Sequence, residues 1–261
     1  MVRGESLMEK LKYGKGSCLL CGSKEHEIVY DFERQDIVKC SSCGFAFVFP
    51  MPEDGHFQDV YAGDYWESYQ VSVGEKDIHE RLNEFMEISR ERIGFLSKFK
   101  SKGKFLDVGC SMGFLVKAAK DAGFDAYGID LSEKTLEEGR KRYNVKLIRS
   151  TLESYPPEKF DAITCYNTIE HVVRPDRLLI EMRKRLAADG VIAIGTHDFE
   201  CSNHRKEGKA WKHIMPTEHL YYFRLRDLIV LGEQCGLEVV WHNKPIDNLI
   251  VVYYKEKKPQ E

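Results

Sequence analysis

Hydrophobic residues follow two alternating spacings along most of this chain. From residue 104 onward, short continuous apolar runs alternate with segments whose apolar positions recur at helical spacing. This alternation predicts parallel strands joined by helices that cover both faces of one sheet. The predicted order is strand 105–108, helix 113–122, strand 125–130, helix 133–143, strand 146–149, strand 160–166, helix 175–186 and strand 190–195. Ser132 is the expected cap of the second helix, with Thr135 as an alternative start.

The end of the chain carries two further apolar runs, at residues 237–241 and 249–254, after a predicted helix at 225–235. No helical segment separates these two runs, so they predict an antiparallel hairpin at the sheet edge. The fold class expected is therefore α/β: a doubly wound, mostly parallel seven-stranded sheet with an antiparallel edge hairpin, plus a small N-terminal ribbon.

The first hundred residues have a different pattern. Short β-type runs at 27–30 and 44–49 lie among paired cysteines and end at two closely spaced prolines. Apolar positions at helical spacing then predict a connecting helix over 78–100. The expected organisation is a ribbon with the paired cysteines over 1–62, a connecting helical segment over 63–103 and the main domain over 104–261, with an insertion at 196–223.

Composition narrows the possible function. The chain has 261 residues, a hydrophobic content of 43% and a formal net charge of −3. A chain of this size buries a full core, and its slight negative charge gives no general electrostatic case for nucleic-acid binding. The sequence has neither an apolar run long enough to span a membrane nor the apolar core of a signal peptide. A cytoplasmic protein without a membrane span is expected.

Four of the eight cysteines form two Cys-x-x-Cys pairs, Cys18 with Cys21 and Cys40 with Cys43. This spacing is typical of a four-cysteine zinc site, and a glycine follows the second cysteine of each pair, as a zinc knuckle requires. Redox disulfides are the alternative, but no thioredoxin-like context surrounds the pairs. Four thiolates complete the shell of the ion, so the predicted Zn²⁺ is structural.

The most informative motif is the glycine turn after the first strand of the main domain. Gly109 and Gly113 would let the backbone approach a ligand, and Asp130 ends the next strand, where an acid can bind a ribose. The turn lacks the Lys and Ser/Thr of a P-loop and the third glycine of a dinucleotide site. Asp107 beside the turn disfavours a pyrophosphate and favours a ligand with an amino or sulfonium group.

On these motifs the chain resembles the class I S-adenosylmethionine-dependent methyltransferases over about residues 104–254. The resemblance implies that the glycine loop holds the methionine part of the cofactor and that Asp130 binds the ribose hydroxyls. Ser111 replaces a glycine that the family often has, which requires that its φ stay negative. The cofactor-binding residues that the resemblance implies are Asp107, Gly109, Cys110, Gly113, Asp130, Leu131, Thr151, Leu152 and Asn167.

The arrangement of a cysteine ribbon in front of such a domain resembles that of a group of these enzymes whose best understood members act on sugars. This resemblance implies that the ribbon forms part of the wall of the acceptor pocket. Glu170 and His171 follow the fourth strand, at the edge where open α/β sheets bind ligands. We expect His171 to accept a proton from the acceptor, Glu170 to assist it, and His219 to join the catalytic set from the insertion. Trp211 would add stacking surface to the acceptor pocket.

Other aromatic and histidine side chains have less specific expectations. His197, His204 and His213 are expected to be solvated loop residues, and Tyr61, Tyr65 and Trp66 could form a lid over the cofactor. The resulting hypothesis is a methyltransferase acting on a hydroxyl or acidic carbon of a small or carrier-linked acceptor, with a sugar as the favoured acceptor. An RNA methyltransferase with a basic ribbon and a catalytically silent cofactor-binding adaptor remain as alternatives.

Overall fold

The structure, a computed structural model, describes residues 16–52 and 78–258. Within these ranges the strands form one seven-stranded sheet and one four-stranded sheet. The strands are β1 His26–Tyr30, β2 Asp36–Cys40, β3 Ala46–Phe49, β4 Lys104–Val108, β5 Asp125–Asp130, β6 Lys146–Arg149, β7 Phe160–Tyr166, β8 Leu186–His197, β9 Tyr221–Tyr222, β10 Leu237–Ile246 and β11 Leu249–Glu256.

Six α-helices cover or connect these strands in the described part of the chain. They are α1 Ile78–Leu96, α2 Phe114–Asp121, α3 Glu133–Tyr143, α4 Pro175–Lys184, α5 Ser202–Glu207 and α6 Leu225–Gln234. Two single turns of 3₁₀ helix, Ile169–His171 and Gly208–Ala210, follow β7 and α5. The connecting helix ends at Leu96, four residues before the predicted end, and Ser132 is the N-cap residue of α3 as predicted.

The large sheet has the strand order β10-β11-β8-β7-β4-β5-β6. The five strands β8-β7-β4-β5-β6 are parallel, and the hairpin β10–β11 pairs antiparallel onto β8. The predicted α/β fold class, with its antiparallel edge, is confirmed. The chain order reverses between β4 and β7, and parallel sheets bind ligands at such a switch point, beyond the carboxyl ends of the strands.

The small sheet contains two strands that the sequence pattern did not predict. β2 lies between the two cysteine pairs, and β9 comes from the insertion after β8, far from the ribbon in sequence. Ala46 and Phe47 of β3 pair with Tyr222 and Tyr221 of β9. The N-terminal ribbon and the insertion therefore share one antiparallel sheet, β1-β2-β3-β9.

Helix α6 also attaches the ribbon to the main domain. Gln234 donates a hydrogen bond to the Leu20 carbonyl at 2.8 Å, and Arg226 donates to the Cys43 carbonyl at 2.7 Å. Buried residues from both sheets, among them Phe47, Tyr221 and Ile194, belong to one hydrophobic core. In residues 16–52 and 78–258, no helix has the length and apolar character needed to cross a membrane.

Candidate functional site

The glycine turn after β4 is shaped by backbone conformations that glycine favours. Gly109 has a φ of 75°, and a Cβ on it would lie 2.1 Å from the Thr168 Oγ1 atom. Its amide and that of Cys110 donate to the Ile129 carbonyl at 2.9 and 3.0 Å, which ties the turn to β5. Gly113 is the N-cap residue of α2 at a φ of 78°. Gly109 thus lets the turn pack directly against the loop that follows β7.

Asp130 ends β5 beside this turn. One carboxylate oxygen accepts the Ser111 amide at 2.8 Å and the other accepts the Ser132 amide at 3.0 Å. These two bonds hold the carboxylate in a single orientation, with lone pairs left for further donors such as ribose hydroxyls. The expectation for Ser111 was wrong: its φ is +49°, so a serine occupies the left-handed conformation that glycine normally takes.

Asp107 is buried in the middle of the sheet. It is 3% exposed, and its Oδ1 accepts the Thr164 hydroxyl at 2.6 Å. Burial raises the pKa of the Asp107 carboxyl to about 7, although the Thr164 hydrogen bond and the Arg92 charge act in the opposite direction. The Arg92 guanidinium, from α1, lies 4.1 Å from the centre of the Tyr166 ring. The neutral and ionised forms of Asp107 are therefore balanced near neutral pH.

The other predicted cofactor residues lie at the ends of β4, β5, β6 and β7. Cys110 and Leu152 are buried, and Leu131 and Thr151 are half-buried at the ends of β5 and β6. Asn167 is exposed after β7 with a φ of 49°, and its amide donates to the Gly195 carbonyl at 2.8 Å. The structure thus places these residues at the carboxyl ends of neighbouring strands.

Glu170, His171 and His219 meet in one buried cluster. Each offers one ligand-type atom, and these atoms all lie within 4.8 Å of one another. The His171 and His219 ring centres are 4.7 Å apart, with the rings at 74° to each other. The Leu220 amide donates to the Glu170 carbonyl at 2.8 Å, which joins the insertion to the 3₁₀ turn. The three predicted catalytic residues therefore occupy one place, although they come from two segments.

Hydrogen bonds determine the tautomers of the two histidines in this cluster. The Nδ1 atom of His171 lies 2.9 Å from the Glu218 carbonyl, and the Nδ1 atom of His219 lies 2.9 Å from the His213 carbonyl. A carbonyl only accepts, so each Nδ1 carries the hydrogen and each Nε2 carries the lone pair. In both rings the Nε2 atom is thus the one that can accept a proton or bind a cation.

Burial has opposite effects on the acid and the imidazoles. It raises the pKa of Glu170 to about 7, against a smaller lowering by its own backbone amide and the Thr196 hydroxyl. Burial lowers the pKa of His171 to about 3, helped by the nearby His219, and lowers that of His219 to about 4. Both imidazoles are neutral at pH 7.

A small cavity adjoins this cluster under the insertion. Its lining includes Glu170, Thr196, His197, Phe199, Trp211, His213, His219, Tyr221 and Tyr222. The structure brings Trp211 to the cavity, as expected for a pocket residue. His197 and His213 were expected to be solvated, but their rings stack with centres 3.5 Å apart and both line the cavity. His204 lies outside it and bonds the Tyr30 hydroxyl at 3.0 Å.

The four paired cysteines form a second cluster, in the ribbon. The Sγ atoms of Cys18 and Cys43 are 3.5 Å apart, as are those of Cys21 and Cys40, and all four lie within 4.8 Å of one another. None of these cysteines is in a disulfide. These separations match the edges of a tetrahedron of thiolates about 2.3 Å from a central Zn²⁺. Burial raises the pKa of Cys43 to about 11, so the thiolate form needs a cation nearby.

Several residues at these sites were missed by sequence reasoning. Arg92 and Thr164 surround Asp107, and Thr196 lies beside Glu170. Each lies inside a helix or strand, and the apolar pattern of that element gives no sign of it. No local signal marks such residues, because only the packing of separate elements gives them a polar partner. The predicted lid residues Tyr61, Tyr65 and Trp66 lie outside the described ranges.

Comparison with known proteins identifies the family to which this chain is similar. A family model described as a methyltransferase domain matches residues 78–242. The ubiquinone biosynthesis O-methyltransferase of Actinobacillus pleuropneumoniae serotype 5b is 34% identical over 105 residues, which are 36% of this chain and 45% of that protein. The enzyme of the same name from Idiomarina loihiensis is 31% identical over 178 residues, which are 62% of this chain and 73% of that protein.

Solved structures share the fold at low sequence identity. The crystal structure of magnesium protoporphyrin IX methyltransferase from Synechocystis PCC 6803 with bound SAH aligns with a TM-score of 0.61 and 14% identity, covering 78% of this chain and 100% of that chain. At this identity the similarity supports the fold alone. The family model covers more than half of the sequence, and the Idiomarina relative is matched over most of its length. This chain therefore belongs to the methyltransferase domain family.

Proposed function

We propose that the chain methylates a hydroxyl or an acidic carbon of a small or carrier-linked acceptor at the cluster of Glu170, His171 and His219. One observation carries this proposal. Thr168 packs against Gly109 of the cofactor turn and lies only two residues before Glu170. The predicted cofactor loop and the cluster therefore share a wall, which is the geometry that an in-line transfer between two bound molecules needs.

The chemistry divides between the cofactor and these residues. S-adenosylmethionine, when bound, supplies a methyl group on a sulfonium that is already a good leaving group. The residues that would hold it are Asp130 at the ribose and Asp107 with the turn of Gly109 and Gly113 at the amino acid part. Glu170, His171 and His219 would orient the acceptor and take part in removing its proton, while the packed insertion excludes water.

A sugar is the acceptor class that we favour. The cavity has an aromatic wall from Trp211 and Phe199, together with hydroxyl and imidazole groups. Sugars bind to such mixed surfaces through ring stacking and hydrogen bonds. A phenolic acceptor is the second candidate, because curated relatives are named ubiquinone biosynthesis O-methyltransferases. Nucleic acid is disfavoured by the net charge of −3.

We further propose that the four cysteines bind a structural Zn²⁺. The knuckle glycines Gly22 and Gly44 both have a φ of 74°, and their amides donate to the Cys18 and Cys40 carbonyls at 2.8 Å. Four thiolates leave no position open for a substrate, so this ion would hold the ribbon together and take no part in methyl transfer.

The proposed function is tested by methyl transfer from labelled S-adenosylmethionine to three acceptors: a nucleotide-linked sugar, a dihydroxyphenol and an RNA. We expect label in the sugar and none in the RNA. Asp130→Ala is the control for a cofactor-dependent signal, with an expected loss of cofactor affinity of about tenfold or more. Label in the phenol alone would replace the sugar assignment, and label in RNA alone would reject the small-molecule proposal. Slow formation of S-adenosylhomocysteine with every acceptor would instead indicate an adaptor.

Binding of the cofactor is expected to depend on pH through Asp107. Its pKa of about 7 lies above the usual value of 3.8, so the unliganded protein holds a proton there that a bound ammonium or sulfonium would displace. The Kd should therefore fall as pH rises, by up to about tenfold per unit below pH 7, and become constant near pH 8. Calorimetry with S-adenosylmethionine between pH 5.5 and 8 measures this effect.

The matched variant for this experiment is Asp107→Asn, which keeps the shape and cannot ionise. Its Kd should be higher at pH 8 and nearly independent of pH. The groups nearest to Asp107, Arg92 and Asp130, remain in place and contribute equally to both proteins. A pH profile that is the same in both proteins would show that Asp107 does not receive the cofactor's positive charge.

A further inference from the structure

We infer that the cavity under the insertion is a subsite for one hydroxyl group of the acceptor, and that Trp211 is the residue that selects this group. The subsite deepens the proposed function, on which its role in methyl transfer rests. It differs from the reacting position, because none of the described residues predicted to bind the cofactor lines the cavity. The acceptor would therefore carry at least two polar groups: the one that is methylated and a hydroxyl that is held in the cavity.

The cavity concentrates the unpaired polar atoms of the described part of the chain. Nine buried side-chain nitrogen and oxygen atoms there make no hydrogen bond of good geometry, and six of them belong to residues that line this one cavity. They are both carboxylate oxygens of Glu170, His197 Nδ1, Trp211 Nε1, His213 Nε2 and the Tyr222 hydroxyl. Buried polar atoms are nearly always paired, so a group of unpaired ones in one cavity indicates a polar occupant.

Trp211 is the most informative of these residues. It is 2% exposed, and an indole N–H can only donate a hydrogen bond. The centres of the His213 and His204 rings lie 5.0 and 5.2 Å from the centre of the indole, and the Trp211 amide donates to the Gly208 carbonyl at 3.1 Å. This packing holds the indole in place and leaves its N–H available to a group that enters the cavity. The occupant must therefore offer a lone pair.

Glu170 requires the opposite property of the occupant. The residue is 1% exposed, and an ionised carboxylate can only accept hydrogen bonds. A hydroxyl satisfies both residues, because its oxygen accepts from Trp211 while its hydrogen is donated to Glu170. An ammonium has no lone pair for the indole, an ether has no hydrogen for the carboxylate, and a carboxylate would bring a second negative charge beside the first.

The two histidines of the cavity are compatible with a hydroxyl in either orientation. Burial lowers the pKa of the His197 and His213 imidazoles, so both rings are neutral at pH 7. A neutral imidazole presents an N–H or a lone pair, depending on its tautomer. Tyr222 completes the wall from β9, which pairs with β3 of the ribbon. The ribbon therefore holds one side of the subsite.

The subsite would select acceptors mainly by rejecting those that lack the hydroxyl. Without it, the Trp211 N–H and the Glu170 carboxylate stay buried and unpaired in the complex. The cost of removing them from water is then not recovered. Sites that are built to bond a hydroxyl discriminate strongly against an analogue without one for this reason.

Nuclear magnetic resonance of the full-length chain tests the subsite without methyl transfer. The sequence contains three tryptophans, so three indole N–H signals are expected, and Trp211→Phe identifies the signal of Trp211. The probes are four cyclohexyl compounds that differ in one substituent: cyclohexanol, cyclohexylamine, methoxycyclohexane and cyclohexanecarboxylate. We expect cyclohexanol to move the Trp211 signal, with a Kd at least about tenfold lower than the Kd of each of the other three.

The variants Tyr222→Phe and Tyr254→Phe form a matched pair, because each removes one buried hydroxyl. The Tyr254 hydroxyl donates to the Leu228 carbonyl at 2.9 Å, whereas the Tyr222 hydroxyl is among the unpaired atoms. We expect Tyr222→Phe to keep its melting temperature and to bind cyclohexanol about threefold or more weakly. Tyr254→Phe should have a lower melting temperature and an unchanged affinity for cyclohexanol.

The outcomes distinguish this inference from the proposed function. A Trp211 signal that does not move with cyclohexanol, or a Kd for another probe that is equal or lower, would overturn the subsite. A lower melting temperature of Tyr222→Phe with unchanged cyclohexanol affinity would also overturn it, because that hydroxyl would then be structural. The expected binding results together with no methylated acceptor would leave the subsite standing and reject the proposed function.

Discussion

Replacing Cys40 with serine is expected to lower methyl transfer by 10²-fold or more while cofactor affinity changes less than about threefold. The reason is the route from the ribbon to the acceptor cluster. Cys40 ends β2, the neighbouring β3 pairs with β9, and the Val48 amide donates to the Leu220 carbonyl at 3.0 Å. The Leu220 amide in turn donates to the Glu170 carbonyl at 2.8 Å.

Loss of zinc should therefore displace the segment that carries His219. A structural zinc site contributes about 10 kcal/mol or more to the folding of a small ribbon, so a three-thiolate remnant would not hold the sheet. The cofactor turn and Asp130 belong to the other sheet and should remain intact. The measurements are zinc content, calorimetry with S-adenosylhomocysteine, and transfer to the acceptor.

Cys201→Ser is the matched control for this experiment. Cys201 is buried and does not belong to the four-cysteine cluster. It is the N-cap residue of α5, where its sulfur accepts a hydrogen bond from the His204 amide. Serine is a preferred N-cap residue, so this variant should keep both the zinc and the turnover. Full turnover by a zinc-free Cys40→Ser protein would show that the ribbon does not support the acceptor site.

Gly109→Ala is expected to weaken cofactor binding by about 100-fold and to lower the free energy of unfolding by about 3 kcal/mol. The new Cβ would lie 2.1 Å from the Thr168 Oγ1 atom and 2.6 Å from its methyl carbon, at a φ of 75° that disfavours side chains. The contact can be relieved only if the turn and the loop after β7 separate. This separation would disturb the cofactor site and the position of Glu170 together.

The variant Gly123→Ala measures the conformational cost of a side chain at positive φ without any steric clash. Gly123 has a φ of 95°, but a Cβ there has no atom within 4 Å. This variant should lose about 1 kcal/mol of stability and keep its cofactor affinity. Thermal unfolding and calorimetry measure both quantities. Equal affinity losses in the two variants would mean that contact between Gly109 and Thr168 does not organise the site.

The predictability of the fold differed between its two sheets. The five parallel strands were predicted because each carries a continuous apolar run. The edge hairpin was predicted because no segment with helical spacing separates its two apolar runs. β9 was missed because it has only two residues and pairs with a strand distant in sequence. β2 was missed because its apolar run is only Ile37 and Val38, between the charged residues Asp36 and Lys39, and its third buried residue is one of the paired cysteines.

The sequence predicted which residues would belong to the candidate clusters but not how they are arranged. The spacing of the cysteines and the position of Glu170 and His171 after a strand were visible in the sequence, and the four thiols do cluster. The environment of each group was not visible. His197 and His213 looked like loop residues, and their stacking beside the cavity depends on how the insertion folds back onto β8.

By itself, the sequence determined the α/β class and the four-cysteine motif, because these depend on local spacing and on residues close in the chain. The cofactor was a prediction from the resemblance of its motifs to a family. Only the tertiary structure decided that the ribbon and the insertion form one sheet and that Glu170, His171 and His219 lie within 4.8 Å. It also decided that Ser111 adopts a φ of +49° and that Asp107 is buried beside Thr164. The physical reason is that strand pairing and packing join distant segments, and the resulting burial shifts the pKa of a carboxyl or an imidazole away from its ordinary value.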